Sequence, residues 1–328
     1  MSSLYNFVTK DTIKASKPEA IALVRKAFSD PRISDCIDEI YPVDESSQIE
    51  IFGIEDSHAR LLAFAAARET LLRINGTLIR SASIGMVSVL NERQSEGLGS
   101  LLVRQIIEFA KLQRYSFLYL QGIPNFYLQF GFTSIINRSR VTIAIEDSMD
   151  NRSVELRPLT YEDLPFVQKM YSNLSHVLDF SAIRSAQEWA WLLSRAKNTF
   201  LFYRPTGVYL NDKCVGYFTS DPLEPARIRE AVYDVKVDSV SAFFSGLMLY
   251  AQNNELASLE VMTWRESPIV NFLKEHTNFT LSVMYQRTRG QMGLSLDSSL
   301  EQLQNSIKHS MAESDLQKSR FIFQGDNL

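Results

Sequence analysis

The chain has 328 residues, 45% of them hydrophobic and 20 of them Phe, which suffices for two packed domains and excludes a disordered chain. A formal net charge of −4 without a basic run argues against a nucleic-acid or anionic-membrane surface. Cys36 and Cys214 stand far apart, and His58, His176, His276 and His309 are scattered singly, so a disulfide framework and a metal cluster are excluded and a cytoplasmic protein is expected.

In chain order, a short strand is predicted at Tyr5–Thr9. Pro18 then opens a helix reaching about Phe28, with Ile21, Ala22, Val24 and Phe28 as its apolar stripe. The next stretch, Ser34 to Glu45, is acidic, carrying Asp35, Asp38, Glu39, Asp44 and Glu45. Residues 48–54 and 60–80 read as strands, and Asn75-Gly76 is the strongest hairpin signal, joining Thr70–Ile74 to Thr77–Ala82. An apolar, β-branched run, Ile84 to Leu90, reads as a buried strand that leads into the polar turn Asn91-Glu92-Arg93. From Leu98 the spacing turns helical (Leu98, Leu101, Leu102, Ile106, Phe109, Ala110), with Arg104, Gln105, Glu108 and Lys111 on the other face. A strand at Ser116–Leu120 follows, and Arg140–Ile145 is expected to close the first half as its last strand.

The chemistry sits where strand becomes helix, at Gln94-Ser95-Glu96-Gly97-Leu98-Gly99-Ser100. A loop opening into a helix leaves backbone N–H groups unpaired at the positive end of the helix dipole, a ready site for a phosphate or diphosphate. Gly97 and Gly99 carry no Cβ to hold an anion away from the backbone. The dinucleotide pattern G-x-G-x-x-G is absent because no glycine follows Gly99 at the needed spacing, and the P-loop fails because no Lys follows either glycine. The plainer alternative is a tight strand-to-helix connection with a core aromatic at Tyr127.

What stands here is Q-x-x-G-x-G (Gln94, Gly97, Gly99), followed after the next strand by Y-x-x-x-G-F (Tyr127, Gly131, Phe132). In this order, on strand–loop–helix–strand–helix, the two motifs resemble the GNAT superfamily of acyl-CoA-dependent N-acyltransferases. The resemblance implies an α/β (α+β) fold with a mixed, mostly antiparallel sheet flanked by helices. Two of its strands, Ile84–Leu90 and Ser116–Leu120, would splay apart to pair with the pantetheine of coenzyme A. It also implies that Val87, Ser88 and Val89, with Gln94, Ser95, Glu96, Gly97, Leu98, Gly99 and Ser100, bind the cofactor, and that Tyr127 sits beside the thioester sulfur. The acidic stretch would border the acceptor pocket, with Asp35, Asp38 and Glu39 as candidates to attract a cationic amine. Glu96 is expected to face solvent beside the phosphates.

A polar segment, Glu146 to Ser153, marks a boundary. Beyond it, Leu156-Arg157-Pro158-Leu159-Thr160-Tyr161-Glu162-Asp163-Leu164 resembles the opening of another GNAT domain, with Thr160 as a helix cap. Further strands are expected at Thr199–Tyr203, Gly207–Leu210, Cys214–Thr219, Ala231–Val237 and Ser258–Trp264. Helices are expected at Ala186–Ala196, Val240–Asn253 and Pro268–Glu275. The motif is missing from this half: Asp234-Val235-Lys236-Val237-Asp238 stands where the loop should be, Lys274 has the spacing of the Tyr, and two Asp would repel a diphosphate. The expected organisation is a catalytic domain at residues 1–147, a degenerate GNAT-like domain at 153–292, and a C-terminal helix and tail at 293–328 containing Leu300, Leu303, Ile307 and Phe321-Ile322-Phe323.

The function expected from the resemblance is acetyl transfer from acetyl-CoA to a primary amine of a small molecule or peptide, without a metal. The competing expectation is a non-enzymatic acyl-CoA sensor or scaffold that has kept the loop and lost the acceptor pocket. No apolar run reaches about 18 residues and no leader pattern opens the chain, so no membrane partner is expected. Homo-oligomer formation stays open.

Overall fold

The computed structural model describes residues 5–28, 49–74, 76–134, 138–145, 153–176, 180–194, 205–221, 224–263, 268–275, 281–286 and 291–297. β1 (Asn6–Thr9) pairs antiparallel with β2 (Ile49–Glu55). Between them, α1 (Lys17–Ala27) starts at Ser16, whose backbone N–H (2.6 Å) and hydroxyl (2.8 Å) both donate to the Glu19 carboxylate one turn on. β3 (Leu61–Ile74) and β4 (Thr77–Val89) form a long antiparallel hairpin. Gly76 takes φ +81° in its two-residue turn, as the Asn-Gly signal demands; Asn75 lies outside the described residues. The two runs predicted within residues 77–90 are therefore one continuous strand.

α2 (Leu98–Leu112) buries Leu98, Leu102, Val103, Ile106, Ile107 and Ala110, the stripe its spacing predicts, against β2, β3 and β4. Truncating a member such as Leu102 to Ala would cost about 2–5 kcal/mol. β5 (Phe117–Gln121), α3 (Pro124–Tyr127), a 3-10 turn at Leu128–Phe130 and β6 (Thr133–Ser134) complete this part of the chain. β7 (Arg138–Ala144) and β8 (Val154–Pro158) follow, then α4 (Leu164–His176), β9 (Phe180–Ile183) and α5 (Ala186–Ser194). The remaining elements are β10 (Thr206–Leu210), β11 (Lys213–Ser220), β12 (Arg227–Tyr233), α6 (Val237–Asn253), β13 (Ser258–Thr263), α7 (Pro268–Glu275), β14 (Leu281–Gln286) and β15 (Gln291–Ser295).

The strands assemble into two sheets flanked by helices. One runs β1-β2-β3-β4-β5-β15-β6, with β9 paired to the far end of β3; the other runs β14-β7-β13-β12-β11-β10-β8. Expected boundaries at residues 147, 153 and 292 divide the chain linearly, but the sheets do not divide that way. β7, expected as the last strand of the first half, lies in the second sheet between β13 and β14. β15 returns to the first sheet and pairs Gln291–Ser295 with Gln121–Phe117, covering an edge of β5 that would otherwise expose unpaired backbone groups. β9 also crosses over, pairing Phe180–Ile183 with Ile74–Leu71.

The second sheet has its own core around Phe243, Leu247, Leu259 and Val261, and a polar centre that displaces one expected strand. The sequence suggests a strand at Ala231–Val237, yet the strand is Arg227–Tyr233 and the helix starts at Val237. The shift arises because Glu230 is buried rather than exposed: Arg184 pairs with it bidentately (2.6 and 2.9 Å), Tyr217 donates to it at 2.5 Å, and the two charged side chains are only 4% and 3% exposed. The expected strand at Thr199–Tyr203, the C-terminal helix at Leu300–Ile307 and the apolar tail patch at 321–323 lie outside the described residues.

The exchange makes the two sheets mutually dependent. A chain cut after residue 147 would lose β15 and β9 and keep a β7 without partners. It should show no cooperative urea transition and little near-UV circular dichroism, whereas the full chain should unfold cooperatively.

Candidate active site

β4 and β5 run parallel for four pairs only, from Ser81↔Phe117 to Ile84↔Leu120. Beyond Ile84 they part: β4 stays with β3, while Gln121 of β5 pairs with Gln291 of β15. The divergence coincides with a β-bulge, in which Met86 and Val87 together oppose Ala65 and Met86 takes φ +56°. A bulge bends and twists its strand and leaves one residue unpaired. Ser88 fastens it, its buried hydroxyl lying 3.0 Å from the Met86 carbonyl and 3.3 Å from that of Phe64. That hydroxyl is committed to the strand, so the cofactor role expected for Val87, Ser88 and Val89 rests on their backbone.

At the wide end of this wedge β4 passes through a 3-10 turn, Asn91–Arg93, into the turn that precedes α2. Gln94 is tied by its side-chain amide to Asn91 (3.1 Å), and Asn91 in turn to the Lys26 carbonyl at the end of α1 (3.4 Å). Ser95 (φ +72°) and Gly97 (φ +80°) are both left-handed, and Gly97 sits at the N-cap without a side-chain cap. The first helical bond is that of the Leu101 N–H to the Gly97 carbonyl (2.9 Å); the N–H groups of residues 95–100 make no backbone hydrogen bond among the described residues. They form the helix start that favours an anion. The two glycines serve different ends. A Cβ on Gly97 would meet nothing within 4 Å, so its need is the positive φ, whereas a Cβ on Gly99 would touch Val89 and Phe126 at 3.4 Å.

Tyr127 ends α3, and its ring lies directly over Gly122, the residue that follows β5; a Cβ there would come within 2.3 Å of the ring. This places Tyr127 just past the end of β5. The ring meets Phe126 edge-on (4.9 Å) and Phe132 (5.8 Å), and Phe126 in turn packs on Gly99 at the helix start. Burial pushes the phenol up to about 12. A phenol so placed remains a proton donor at neutral pH.

Glu96 is exposed, as expected, and is at the same time held by Arg93 and Tyr5. Sequence reasoning missed this contact, and with it the Met86 bulge, because neither leaves a local motif. Asp35, Asp38 and Glu39, the expected acceptor-side carboxylates, lie outside the described residues. Among those that are described, no group of three His, Cys, Asp or Glu side chains could hold a metal ion, and no helix is long and apolar enough to cross a membrane.

The second sheet repeats the geometry in part. β12 and β13 are parallel for two pairs, Arg227↔Glu260 and Ile228↔Val261, and α6 follows β12 as α2 follows β4. Here the protein fills the space itself. Tyr233 stacks on Phe243 (4.9 Å) and its hydroxyl accepts the Ile269 N–H at the start of α7 (3.2 Å). Before α6, the Asp234 carboxylate faces the Lys236 N–H at 3.4 Å, close to where an anion would sit.

Residues 10–135 match the family model described as an acetyltransferase (GNAT) domain. No curated protein matches the sequence. Among solved structures, the fold is similar to a GCN5-related N-acetyltransferase from Kribbella flavida (14% identity, 91% of this chain and 73% of that one, TM-score 0.67). It is also similar to a conserved protein from Enterococcus faecalis described as a probable N-acyltransferase (14% identity, 89% and 73% covered, TM-score 0.65). A third is Saccharomyces cerevisiae N-myristoyltransferase with bound myristoyl-CoA (10% identity, 90% and 83% covered, TM-score 0.55). At these identities the likeness is one of fold.

Because Gly122 exists to admit the Tyr127 ring, Gly122→Ala should displace that ring. We expect a loss of about 1–3 kcal/mol in urea unfolding, with the tyrosine fluorescence of the folded state altered; an unchanged midpoint would show that the ring does not lie there.

Proposed function

With residues 10–135 a GNAT acetyltransferase domain, we propose that the chain is an acetyl-CoA-dependent N-acetyltransferase acting on a primary amine, with one active site in the wedge between β4 and β5. The observation that carries the proposal is the joining of three features in one place: a parallel pair that stops after four residues, an uncapped helix start, and a buried phenol just past the end of β5. In this reading the turn at Gln94–Ser100 binds the diphosphate through its backbone, and the open edge of β4 at Val87–Val89 pairs with the pantetheine amides. The second sheet, whose equivalent space is filled by Tyr233, serves as scaffold and acceptor-side wall. The acceptor is a small-molecule or peptide amine, drawn by the acidic stretch around Asp35, Asp38 and Glu39.

The chemistry asks for three things. The neutral amine nitrogen attacks the thioester carbonyl, whose oxygen gains charge that backbone N–H groups of the β4 bulge stabilise. The C–S bond then breaks, and the departing thiolate takes the proton of Tyr127. Burial pushes Tyr127 up to about 12, so the phenol is fully protonated and available as donor. Against a free thiol with a pKa of about 8.5 the transfer runs uphill and is drawn forward as the strongly basic phenolate is reprotonated. The nitrogen loses its extra proton to a base on the acceptor side, and solvent reprotonates the phenol.

Incubation of the full chain with acetyl-CoA and a panel of amines, followed by free-thiol release, tests this directly. Turnover supports the enzyme; tight CoA binding without turnover on any amine would favour the sensor. Tyr127→Phe should lower kcat by about 100-fold or more with KM for acetyl-CoA little changed. The wild-type rate should show no loss from phenol ionisation at a pH of about 10, where an unshifted phenol is half ionised. Gly97→Val, forced into a left-handed conformation that disfavours branched side chains by about 1–2 kcal/mol, should weaken CoA binding at least tenfold by calorimetry.

A further inference from the structure

Glu96 is the one acidic side chain within the Gln94–Ser100 turn, and in the proposed reading its own backbone belongs to a diphosphate cradle. A free carboxylate there would repel the anion that the N–H groups attract. It is not free. Arg93 grips it from Nε to Oε1 at 2.6 Å and from Nη2 to Oε2 at 2.7 Å, and the Tyr5 hydroxyl donates to Oε2 at 3.0 Å. The triangle closes through a third contact, in which Arg93 Nη2 donates to the Tyr5 oxygen at 2.8 Å, with the guanidinium 5.8 Å from the centre of the Tyr5 ring. The Arg93 guanidinium holds the Glu96 carboxyl below the usual carboxylate range, and the Tyr5 hydrogen bond adds to this. The clamp also spans the backbone at its most unusual point. Glu96 lies between Ser95 at φ +72° and Gly97 at φ +80°, and a side chain fixed by two partners steadies both left-handed residues. Tyr5 belongs to the segment just before β1, so the clamp draws the start of the chain onto the cofactor turn.

Resting on the reading of this turn as a CoA diphosphate site, we propose that Arg93 is a positioning residue: with Tyr5 it neutralises Glu96 and turns it aside, so that the anion meets backbone N–H groups and not a carboxylate. In this role Arg93 acts through Glu96 and does not touch the phosphate. The same geometry distinguishes the role from that of a direct phosphate ligand. With Nε and Nη2 donating to the carboxylate and Nη2 also to the Tyr5 oxygen, Arg93 has only Nη1 uncommitted and no fork left for a second anion.

The test is a titration of CoA into the full chain by calorimetry, with wild type, Arg93→Ala, Tyr5→Phe and the double variant Arg93→Ala/Glu96→Gln. Wild type should bind CoA, Tyr5→Phe should weaken binding about two- to threefold, and Arg93→Ala about tenfold or more. The double variant should recover to within about threefold of wild type, because the stranded charge is gone. Salt dependence supplies a second readout: the slope of log Kd against log salt should be the same in wild type and the double variant, whereas loss of a phosphate contact would flatten it. A double variant as weak as Arg93→Ala, or an Arg93→Ala that binds like wild type, overturns the clamp while leaving the site in place. A wild-type chain that binds no CoA overturns the site and the clamp together.

Discussion

The structure depends on a set of backbone hydrogen bonds that the fold withholds. A buried strand normally pairs along both edges, and a helix start is normally capped by a side chain. Here β4 gives up its parallel partner after Ile84, and α2 begins at an uncapped Gly97. Both omissions face one region, joined by the turn at residues 90–97. Unpaired polar groups are tolerable only where water or a ligand can reach them. The Met86 bulge, the Ser88 staple that holds it and the two left-handed residues at 95 and 97 are the local means by which the chain keeps these groups open.

Holding a sheet open at its middle demands support from elsewhere, and the strand exchange supplies it. β15 comes from the far end of the described chain to pair with β5 along five residues, and β6 then pairs with β15. β5 is thus anchored on its outer side while its inner side diverges from β4. In return, β7 is surrendered to the second sheet, where it pairs on both edges. The second sheet repeats the divergence at β12 and β13, but Tyr233 and the start of α7 satisfy each other across it. The two short parallel pairs therefore end differently: past one, β5 turns to β15, and past the other, Tyr233 meets the start of α7.

Much of the first half was legible because its signals are local. The stripe from Leu98 to Ala110, the Asn-Gly turn, the strand after residue 116 and the Gly97/Gly99 pair each follow from neighbours in sequence. What was not legible is what joins residues far apart. Arg138–Ala144 has the alternation of a strand whichever sheet takes it, so its sequence could not say that it leaves the first sheet. Arg227–Glu230 reads as surface until Arg184 is seen to neutralise Glu230, and Glu96, exposed as expected, reads as unpartnered until Tyr5, 91 residues earlier, is seen to reach it. In each case a charged residue changes meaning through a distant partner, which periodicity does not record.

The central claim is that the N–H groups at the start of α2 are left unpaired to receive the diphosphate of coenzyme A. Amide hydrogen exchange, read residue by residue with and without CoA, tests it most directly. The account predicts marked slowing at residues 95–100 when CoA is added, with little change before α6 at residues 234–238. Protection that appears only around α6, or an exchange pattern at residues 95–100 indifferent to CoA, would contradict it.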